Sequence, residues 1–536
     1  MAALAGLVLR TVTFSLIRRG AALGLGLLAT GCAHQHYFQD DARLPASAAR
    51  PALAGDSVWA TAGRQYNHHG WAYRRLMGPH HRALWAAPVK APTFQLATAG
   101  AAVGALTPTK LGGGFQSTSL TLETATGMPY VIRSLDKDPS RIMPKGLQKT
   151  FLANALRDGT AAGNPYAALV VPPLAQALGV PHAHPRLLYV PLDEASLGSA
   201  EANERLRGKL VLLEEKYSGK NVSSPLAPTA TNFISDEDMR KRLYAHPADQ
   251  PDQPALLRAR LLDVLIGDWD RHAGQWQWAE RPDPAHPGRK LFAPVPKDRD
   301  QAFFRMSDGL VPWLMTRKFL VRHLVTFKPR IHDVHALTGQ GRHVDQRGVP
   351  ELTRRDFDQA ALYVQQHLPD STLARAVRCL PPAVYALEGP RLLHDLQARR
   401  DQLPQIARQY YLLKARRPTV PGTELPERFL VVRTPDSTTV RVYNHALGPD
   451  SLIFARTYLS RETRHLTLEG LGGDDVFELT GHGLPVVAHG GAGQDVLRAT
   501  SHRRVKFEQE ASDHLPVPAP RTKKERFKHY DRLEDE

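Results

Sequence analysis

The sequence predicts an α+β protein in which a mixed sheet-and-helix region is followed by a mostly helical region and a small all-β module. Three observations predict this class. After a glycine run, apolar and polar residues alternate towards the end of 111–123, as is typical of a strand. Apolar residues recur at helical spacing within 235–415. Short strand-like runs separated by turn residues fill 425–505, which indicates a separate β module.

Composition and charge narrow the class further. The chain has 536 residues, 42% of them hydrophobic, so about three to four domains with apolar cores are expected. A net charge of +16 favours anionic neighbours such as membrane surfaces or phosphorylated ligands. We expect no nucleic-acid partner, because Lys and Arg are scattered and no basic helix interleaved with aromatics occurs. With two cysteines the body has no disulfide framework, and Cys379 is expected to be a buried thiol.

The N-terminal residues have the pattern of an export signal. Arg18 and Arg19 precede an apolar run at 21–31, which is shorter than the roughly 20 residues that span a bilayer. The following LATGC resembles a bacterial lipobox, which implies cleavage before Cys32 and lipid attachment to it. The alternative is an ordinary cleaved signal peptide with a chance cysteine. We therefore expect a lipoprotein signal peptide at 1–32 and a cell-envelope protein held to the membrane by its lipid.

Residues 33–84 are predicted to be a linker with a short helical segment, and 85–220 a compact region built on a sheet of about five strands. Helical patterns occur at 146–159 and 164–179, the second expected to break at Pro172 and Pro173. The strands of this region are predicted at 111–123, 127–138, 186–192 and 209–217.

Residues 221–420 are predicted to be mainly helical. An apolar helix over 254–266 should end at Gly267, a plausible C-cap. QWQWAE and KLFAPVP, on either side of a Pro- and Gly-rich turn, predict a hairpin over 275–296. A further long helix is expected over 390–415, kinked at Pro404.

The most informative segment is GDWDRHAGQW at 267–276 with VPKDRDQAFF at 295–304. Asp270 precedes Gln275 by five residues, and the predicted hairpin would return Asp298 or Asp300 to the same place. Phosphoryl transfer needs a carboxylate that orients the attacking hydroxyl, and oxygen ligands for Mg²⁺. The alternative is a plain surface loop beside core tryptophans.

These two motifs resemble those of atypical kinases: the secreted kinases related to Golgi casein kinase, the spore-coat kinases and, more distantly, the HipA-like toxin kinases. Asp268 stands where that pattern has Asn. The resemblance implies a two-lobed protein-kinase-like fold, with 85–220 as N-lobe and 221–420 as C-lobe. It also implies ATP or another nucleotide with Mg²⁺ or Mn²⁺, Asp270 as catalytic residue, and Gln275 with Asp298 or Asp300 at the metal.

The same resemblance points to nucleotide-binding residues upstream. The glycine run would cover the phosphates, although a flexible hairpin entry explains it equally well. The cation that anchors phosphate would be Arg133 or Lys137; an Arg departs from the usual Lys and leaves a nucleotide-binding pseudokinase open. Glu214, beside Glu215, would lie near the hinge at the adenine, or is simply solvated charge. The glycines concerned are Gly112, Gly113 and Gly114.

Several runs within 112–272 also resemble a region of large bacterial envelope proteins, where it lies between a calcineurin-like phosphoesterase domain and an outer-membrane β-barrel. We find neither the GDxHG and GNHD motifs of the first nor the repeated alternating strands of the second. The expected partner is therefore an outer-membrane β-barrel or another envelope protein.

The predicted β module, 421–510, contains two related runs at 470–479 and 489–499. Each has glycines followed by Asp and an apolar residue, which resembles the calcium repeat of parallel β-rolls. Ca²⁺ ligands would be Asp474, Asp475 and Asp495; the alternative is two stacked turns without metal in a short solenoid or sandwich. A charged tail follows at 511–536.

Two functions follow from these patterns. The first is a lipid-anchored kinase-like enzyme that phosphorylates an envelope substrate, with Asp270 at the acceptor hydroxyl. The second is a catalytically inactive scaffold or binding protein of the same fold in envelope assembly. No HExxH, GxSxG, Walker A or Rossmann motif supports another enzyme class.

Overall fold

The computed structural model describes residues 39–509 except 48–49, 52, 54, 99–103, 114–117, 149, 195, 221–226, 318–320 and 449–450. These residues form two compact units. Unit 1 contains 39–240 and 249–413, and unit 2 contains 241–248 and 414–509. Both predicted lobes therefore lie mainly in unit 1, although 241–248 and 414–420 of the predicted C-lobe belong to unit 2. The signal peptide with Cys32, Gly114 and the tail at 511–536 lie outside the described residues.

Unit 1 begins with folded structure where a linker was predicted. Strand β1 (Ser57–Ala60) pairs antiparallel with β2 (Val89–Pro92), and between them lie helices α1 (Trp71–Met77) and α2 (Arg82–Ala86). Tyr66 is fully buried, with its ring centroid 4.9 Å from that of Trp85. The predicted short helical segment is confirmed by α1 and α2. The linker part is wrong for the described residues before it, because aromatic residues such as Tyr66 supply core rather than solvated chain.

A five-stranded antiparallel sheet follows, as predicted, in the order β3-β4-β5-β7-β6. Leu120, Ile132 and Leu213 fill its core. Helix α4 runs through Pro172 and Pro173 where a break was predicted; burial of its apolar face offsets the backbone hydrogen bonds that proline removes. The elements are β3 (Leu106–Gly112), β4 (Ser119–Thr124), β5 (Pro129–Ser134), α3 (Phe151–Asp158), α4 (Ala167–Ala177), β6 (Arg186–Val190), α5 (Ala200–Leu206) and β7 (Lys209–Glu215).

A second sheet has the order β10-β12-β11-β9-β8. Its centre is the predicted hairpin, formed by antiparallel β11 and β12. The buried helix α7 precedes this hairpin and is packed against β12. The elements are β8 (Gly219–Lys220), β9 (Asn232–Ser235), α6 (Asp236–Ala245), β10 (Gln250–Pro251), α7 (Gln253–Ile266), β11 (Trp276–Pro282) and β12 (Lys290–Pro296).

The rest of unit 1 is helical, as predicted. One helix, α13, covers the predicted 390–415 and continues past both Pro390 and Pro404. Cys379 is exposed, so its predicted burial is wrong. No helix of the described chain is long and apolar enough to cross a membrane. The helices are α8 (Leu310–Met315), α9 (Val334–Gly339), α10 (Arg342–Gly348), α11 (Arg354–His367), α12 (Asp370–Val377) and α13 (Pro382–Ala415).

Unit 2 is a two-sheet β module that starts at Lys414 rather than at 421. One sheet, β13-β17-β19-β21, is parallel; the other, β16-β15-β14-β18-β20, has parallel strands edged by two antiparallel ones. The two glycine runs stack, with Val476 opposite Val496, which fits the predicted short solenoid. The strands are β13 (Thr419–Pro421), β14 (Glu427–Arg433), β15 (Ser437–Asn444), β16 (Leu452–Leu459), β17 (Leu466–Glu469), β18 (Val476–Gly481), β19 (Val486–His489), β20 (Val496–Ala499) and β21 (Val505–Glu508).

Candidate active site

Helix α7 fixes where the Asp270 loop begins. Asp252 caps its N-terminus by accepting a hydrogen bond from the amide of Ala255 at 3.0 Å. Gly267 ends it with a left-handed φ of 73°, and a Cβ there would lie 2.9 Å from the Phe327 ring. Glycine is thus required both by conformation and by space. The predicted C-cap is confirmed, and the loop leaves a rigid, buried helix.

The hairpin brings the two predicted motifs together. Trp276 lies opposite Pro296, and the amide of Lys297 donates to the Gln275 carbonyl at 3.0 Å. The loops that precede β11 and follow β12 therefore leave the same end of the sheet. The Gln275 side chain reaches Asp298, with 3.5 Å between Nε2 and Oδ2.

Arg271 ties these loops to each other, a role that the sequence did not reveal. Its side chain is fully buried and donates to the carbonyls of Lys297 at 2.9 Å and Gln275 at 3.1 Å. The guanidinium carbon also lies 4.8 Å from the Trp276 ring centroid. Because both carbonyls belong to the loops that carry Gln275 and Asp298, Arg271 sets the spacing of the motifs.

A buried network of charges supports Arg271 from below. Arg299 pairs with Asp263 of α7 and also contacts Asp268, at 3.1 Å. Burial would raise the pKa of Asp263, but Arg299 and Arg271 hold it below its usual range. For Asp268 burial prevails over the same two cations and raises its pKa to about 7. Asp268, the residue that departs from the kinase pattern, is thus part of the support rather than of the cleft.

Arg133, on the third strand of the five-stranded sheet, faces two carboxylates. Its Nε donates to Glu214 Oε1 at 2.8 Å, and an Nη lies 3.3 Å from Asp298 Oδ2. Glu214 sits on the neighbouring strand β7. Glu214 was predicted near a hinge or as solvated charge; its side chain is only 13% exposed and pairs with Arg133, so the solvated alternative is wrong.

Asp298 and Asp300 occupy different electrostatic positions. Burial opposes ionisation of Asp298, but Arg133 and Lys137 outweigh it and lower its pKa. Burial and the charge of Asp298 raise the pKa of Asp300, although Lys137 forms an ion pair with it. Asp298 also has a left-handed φ of 58°, an unusual conformation for a residue other than glycine. Asp298 is therefore the stronger candidate for a carboxylate that stays ionised.

Asp270 is partly exposed, more than Asp298 and slightly less than Asp300. Its side chain is 28% exposed and has no hydrogen-bond partner among the described residues. Burial, then the charges of Asp300 and Asp298, raise its pKa to about 6. His272 Nε2 lies 3.8 Å from Asp270 Oδ1, and burial lowers the pKa of this imidazole. A carboxylate that ionises near neutrality and faces a cavity can accept or orient a proton from a bound hydroxyl.

Two adjoining cavities meet at Arg133, Glu214 and Asp298, which line both. The first, of about 270 Å³, contains Asp270, Asp300, Lys137 and Trp269 in its wall. The second, of about 200 Å³, has an apolar side and two lysines that sequence reasoning missed. Burial and then Arg133 lower the pKa of one of them, Lys297, to about 8. The second cavity is lined among others by Val131, Val171, Tyr217, Val295, Lys216 and Lys297.

The glycine turn lies at the Arg133 end of the sheet. Gly112 pairs with Ser119, which in turn pairs with Arg133 on the next strand. Gly113 has a left-handed φ of 83°, which requires glycine-like freedom. Gly112 is thus separated from Arg133 by one intervening strand, β4, and Gly113 directly follows Gly112.

The predicted calcium ligands of unit 2 have backbone partners instead. Asp475 Oδ1 accepts from the amide of Glu427 at 2.8 Å, and Asp495 Oδ1 accepts from that of Asp475 at 3.0 Å. Asp474 Oδ1 likewise accepts from the amide of Gln494 at 2.8 Å. Across the described ranges, no three His, Cys, Asp or Glu side chains converge on a common metal position, either in unit 2 or beside Asp298. The backbone hydrogen bonds fit the alternative of stacked turns.

The chain has no match among protein families or curated proteins and only slight likeness to solved structures. Two solved structures show slight likeness: a proinflammatory kinase, CtkA, of Helicobacter pylori, and an ADP/Mg²⁺-phosphoaspartate complex of Rio2 kinase from Chaetomium thermophilum. For CtkA the identity is 10%, the TM-score 0.25, and coverage 55% of this chain and 94% of that one. For Rio2 they are 14%, 0.21, 62% and 83%.

Proposed function

We propose that unit 1 is a kinase-like module that binds a nucleotide with Mg²⁺ or Mn²⁺ and transfers phosphate to a hydroxyl of an envelope substrate. One observation carries this proposal. The β11–β12 hairpin brings the Asp270–Gln275 loop beside Asp298, and this pair of loops faces Arg133 from the third strand of a sheet entered through a glycine turn. Phosphoryl transfer in kinases uses a glycine loop, a third-strand cation, a catalytic carboxylate and a metal carboxylate in this arrangement.

The donor set suits a hard divalent cation. Asp298 and Asp300 offer carboxylate oxygens, and the Gln275 amide offers a carbonyl oxygen; Mg²⁺ commonly takes one or two protein carboxylates and leaves other positions to phosphates and water. The lowered pKa of Asp298 makes it the first choice. A bound metal would neutralise charge on the phosphates. Asp270 would orient the acceptor hydroxyl, and Arg133 would hold a phosphate.

A second candidate function is nucleotide binding without transfer, in a scaffold for envelope assembly. Arg133 stands where transferring kinases carry Lys, and its planar guanidinium is already engaged by Glu214 and Asp298. The ion pair of Lys137 with Asp300 likewise occupies a carboxylate that a metal would use. Both pairings would need to change before transfer.

Location is part of the same proposal. The lipobox-like LATGC before Ala33 supports lipid attachment at Cys32 and a site in the cell envelope. An outer-membrane β-barrel or another envelope protein is the proposed partner. Labelled-fatty-acid incorporation that persists in a Cys32→Ser chain would contradict the anchor.

The deciding experiment is thermal unfolding followed by tryptophan fluorescence. All seven tryptophans lie in unit 1, so this signal reports the nucleotide module alone. Mn²⁺ plus ATP at about 100 times the dissociation constant should stabilise the wild type by about 2.7 kcal/mol. The Asp298→Ala/Asp300→Ala chain should show no shift. A matched control, Asp370→Ala/Asp401→Ala, removes two carboxylates that are 66% and 64% exposed and should respond as wild type.

Transfer is then tested separately. Asp270→Asn should keep the thermal shift and lose phosphate transfer to any acceptor that wild type modifies. Binding without transfer in wild type would support the scaffold function. No shift with either metal or any nucleotide would remove the nucleotide site itself.

A further inference from the structure

Two short helices of unit 1 expose an apolar surface. On α1, Trp71 is 78% and Leu76 45% exposed; on α8, Leu310 is 63% and Leu314 52% exposed. The helices meet end to end, since a Cβ on Gly309 would lie 2.2 Å from the amide nitrogen of Gly78. Together with two further exposed residues of α8 they form what we call the tryptophan patch: Trp71, Leu76, Leu310, Trp313, Leu314 and Met315.

The exposed side chains follow helical faces rather than scattering. Residues 71, 72, 75 and 76 are exposed on α1, at the spacing of one helical stripe; on α8 residues 310, 313 and 314 have this spacing, and 315 adjoins them. Trp71 and Trp313 are 78% and 47% exposed, whereas the other tryptophans are buried or partly buried. Exposed stripes of this kind mark contact with a partner or a membrane.

Cations border the tryptophan patch, and Asp308, at the junction of α1 and α8, accepts a hydrogen bond from the His80 amide at 2.8 Å. No Asp or Glu occurs between Asp56 and Glu123, nor between Asp308 and Asp333, and these two stretches contain both helices. Arg75 is exposed on α1 itself. Arg317 stacks on Trp313, with its guanidinium carbon 3.5 Å from the ring centroid. The tryptophan patch is therefore apolar and aromatic with a basic border.

We propose that the tryptophan patch docks unit 1 on an anionic membrane surface. Interfacial helices combine Trp and Leu with Lys or Arg, and Trp prefers the headgroup level. Basic residues next to such a face add attraction to anionic lipids, each by a similar amount. A protein partner would need an acidic rim to match, whereas a bilayer with anionic headgroups supplies this charge everywhere. The inference does not depend on nucleotide binding.

The test places a local probe on the tryptophan patch. In the full chain, Cys32→Ser and Cys379→Ser remove both native thiols, and Leu314→Cys carries an environment-sensitive fluorophore. The matched control is Leu362→Cys on α11, where the native side chain is 49% exposed. Vesicles of phosphatidylcholine with phosphatidylglycerol should shift the emission at 314 to the blue and leave that at 362 nearly unchanged. Arg75→Gln/Arg317→Gln should lower the partition coefficient about thirty-fold.

Four outcomes would overturn the proposal. The absence of a shift at 314 with anionic vesicles removes the docking site. Equal shifts at both positions mean general adsorption of the chain, to which the apolar run at 21–31 contributes in every variant. Equal shifts with pure phosphatidylcholine remove the anionic requirement. A blue shift that depends on protein concentration without vesicles means that a second copy covers the tryptophan patch.

Discussion

Replacing Arg271 with Lys should destabilise unit 1 by about 2–4 kcal/mol. The fully buried guanidinium makes two short hydrogen bonds, to the carbonyls of Lys297 and Gln275, and an ammonium can replace at most one of them in the same place. A hydrogen bond to a charged group contributes about 1.5–3 kcal/mol, and a buried carbonyl left without a donor costs about 1–3 kcal/mol. Arg271→Met should cost more, about 3–5 kcal/mol, since it leaves both loop carbonyls without this donor.

The assay is urea unfolding followed by tryptophan fluorescence, which sees unit 1 alone. Arg281→Lys provides the control, because that side chain is 34% exposed and its ion pair with Asp252 can be remade by Lys. The control should change the unfolding free energy by less than about 1 kcal/mol. If Arg271→Lys were as mild as the control, or Arg271→Met milder than Arg271→Lys, the account of Arg271 as the tie between the loops would be refuted.

Three further predictions address the carboxylates and a turn. Asp270 must be ionised to orient a hydroxyl, so transfer should rise with pH with a midpoint near its pKa of about 6; a midpoint below 5 would remove it as the limiting group. Burial raises the pKa of Asp475 from 3.8 to about 8, so protonation of this carboxyl stabilises unit 2. As the pH rises from 3.8 to about 8, the free energy of unfolding should therefore fall by up to about 1.4 kcal/mol per pH unit. Asp475→Asn should flatten this slope in urea unfolding followed by circular dichroism; an unchanged slope would contradict it. Gly473→Ala should cost unit 2 more than about 2 kcal/mol, because φ is 95° and the new Cβ would lie 2.5 Å from the Leu425 carbonyl carbon. Gly448→Ala, whose nearest contact is 3.2 Å, should cost less in the same assay.

The sequence predicted the elements that follow from local patterns. Strand patterns predicted four strands of the five-stranded sheet but not β3, and the Pro- and Gly-rich turn predicted the hairpin that joins the Asp270 and Asp298 loops. Where prolines interrupt a pattern, local rules misled: α4 continues through Pro172, because tertiary burial outweighs the lost hydrogen bonds. The β1–β2 pair at the start of unit 1 was missed because its strands are short and the aromatic residues around it have no clear period, whereas the short helical segment there was predicted.

Site residues that lie a few positions apart in the sequence could be predicted. Site residues that meet only because two strands pair could not. The five-residue interval from Asp270 to Gln275 is visible in the sequence, whereas the Arg133–Glu214 pair depends on β7 lying beside β5. No sequence signal distinguished Arg271 from the other arginines. Its role follows from the fold, in which it donates hydrogen bonds to two loop carbonyls. Strand order and long-range pairing are not determined by local propensity.

The ion pairs at the site also bear on how ligands would enter it. The side chains of Arg133 and Asp298 are 26% and 20% exposed, so solvent reaches this ion pair. Separating it should therefore cost less free energy than separating a fully buried ion pair. A metal ion alone would compete with Arg133 for Asp298 and leave the guanidinium paired with Glu214 only. A nucleotide alone would place its negative phosphates next to the negative carboxylates of Asp298 and Glu214. Bound together, metal takes the carboxylate and phosphate takes the guanidinium, so every charge keeps a partner. Each ligand should therefore strengthen binding of the other by the same factor, and a thermal shift that needs both separates this site from a simple anion pocket.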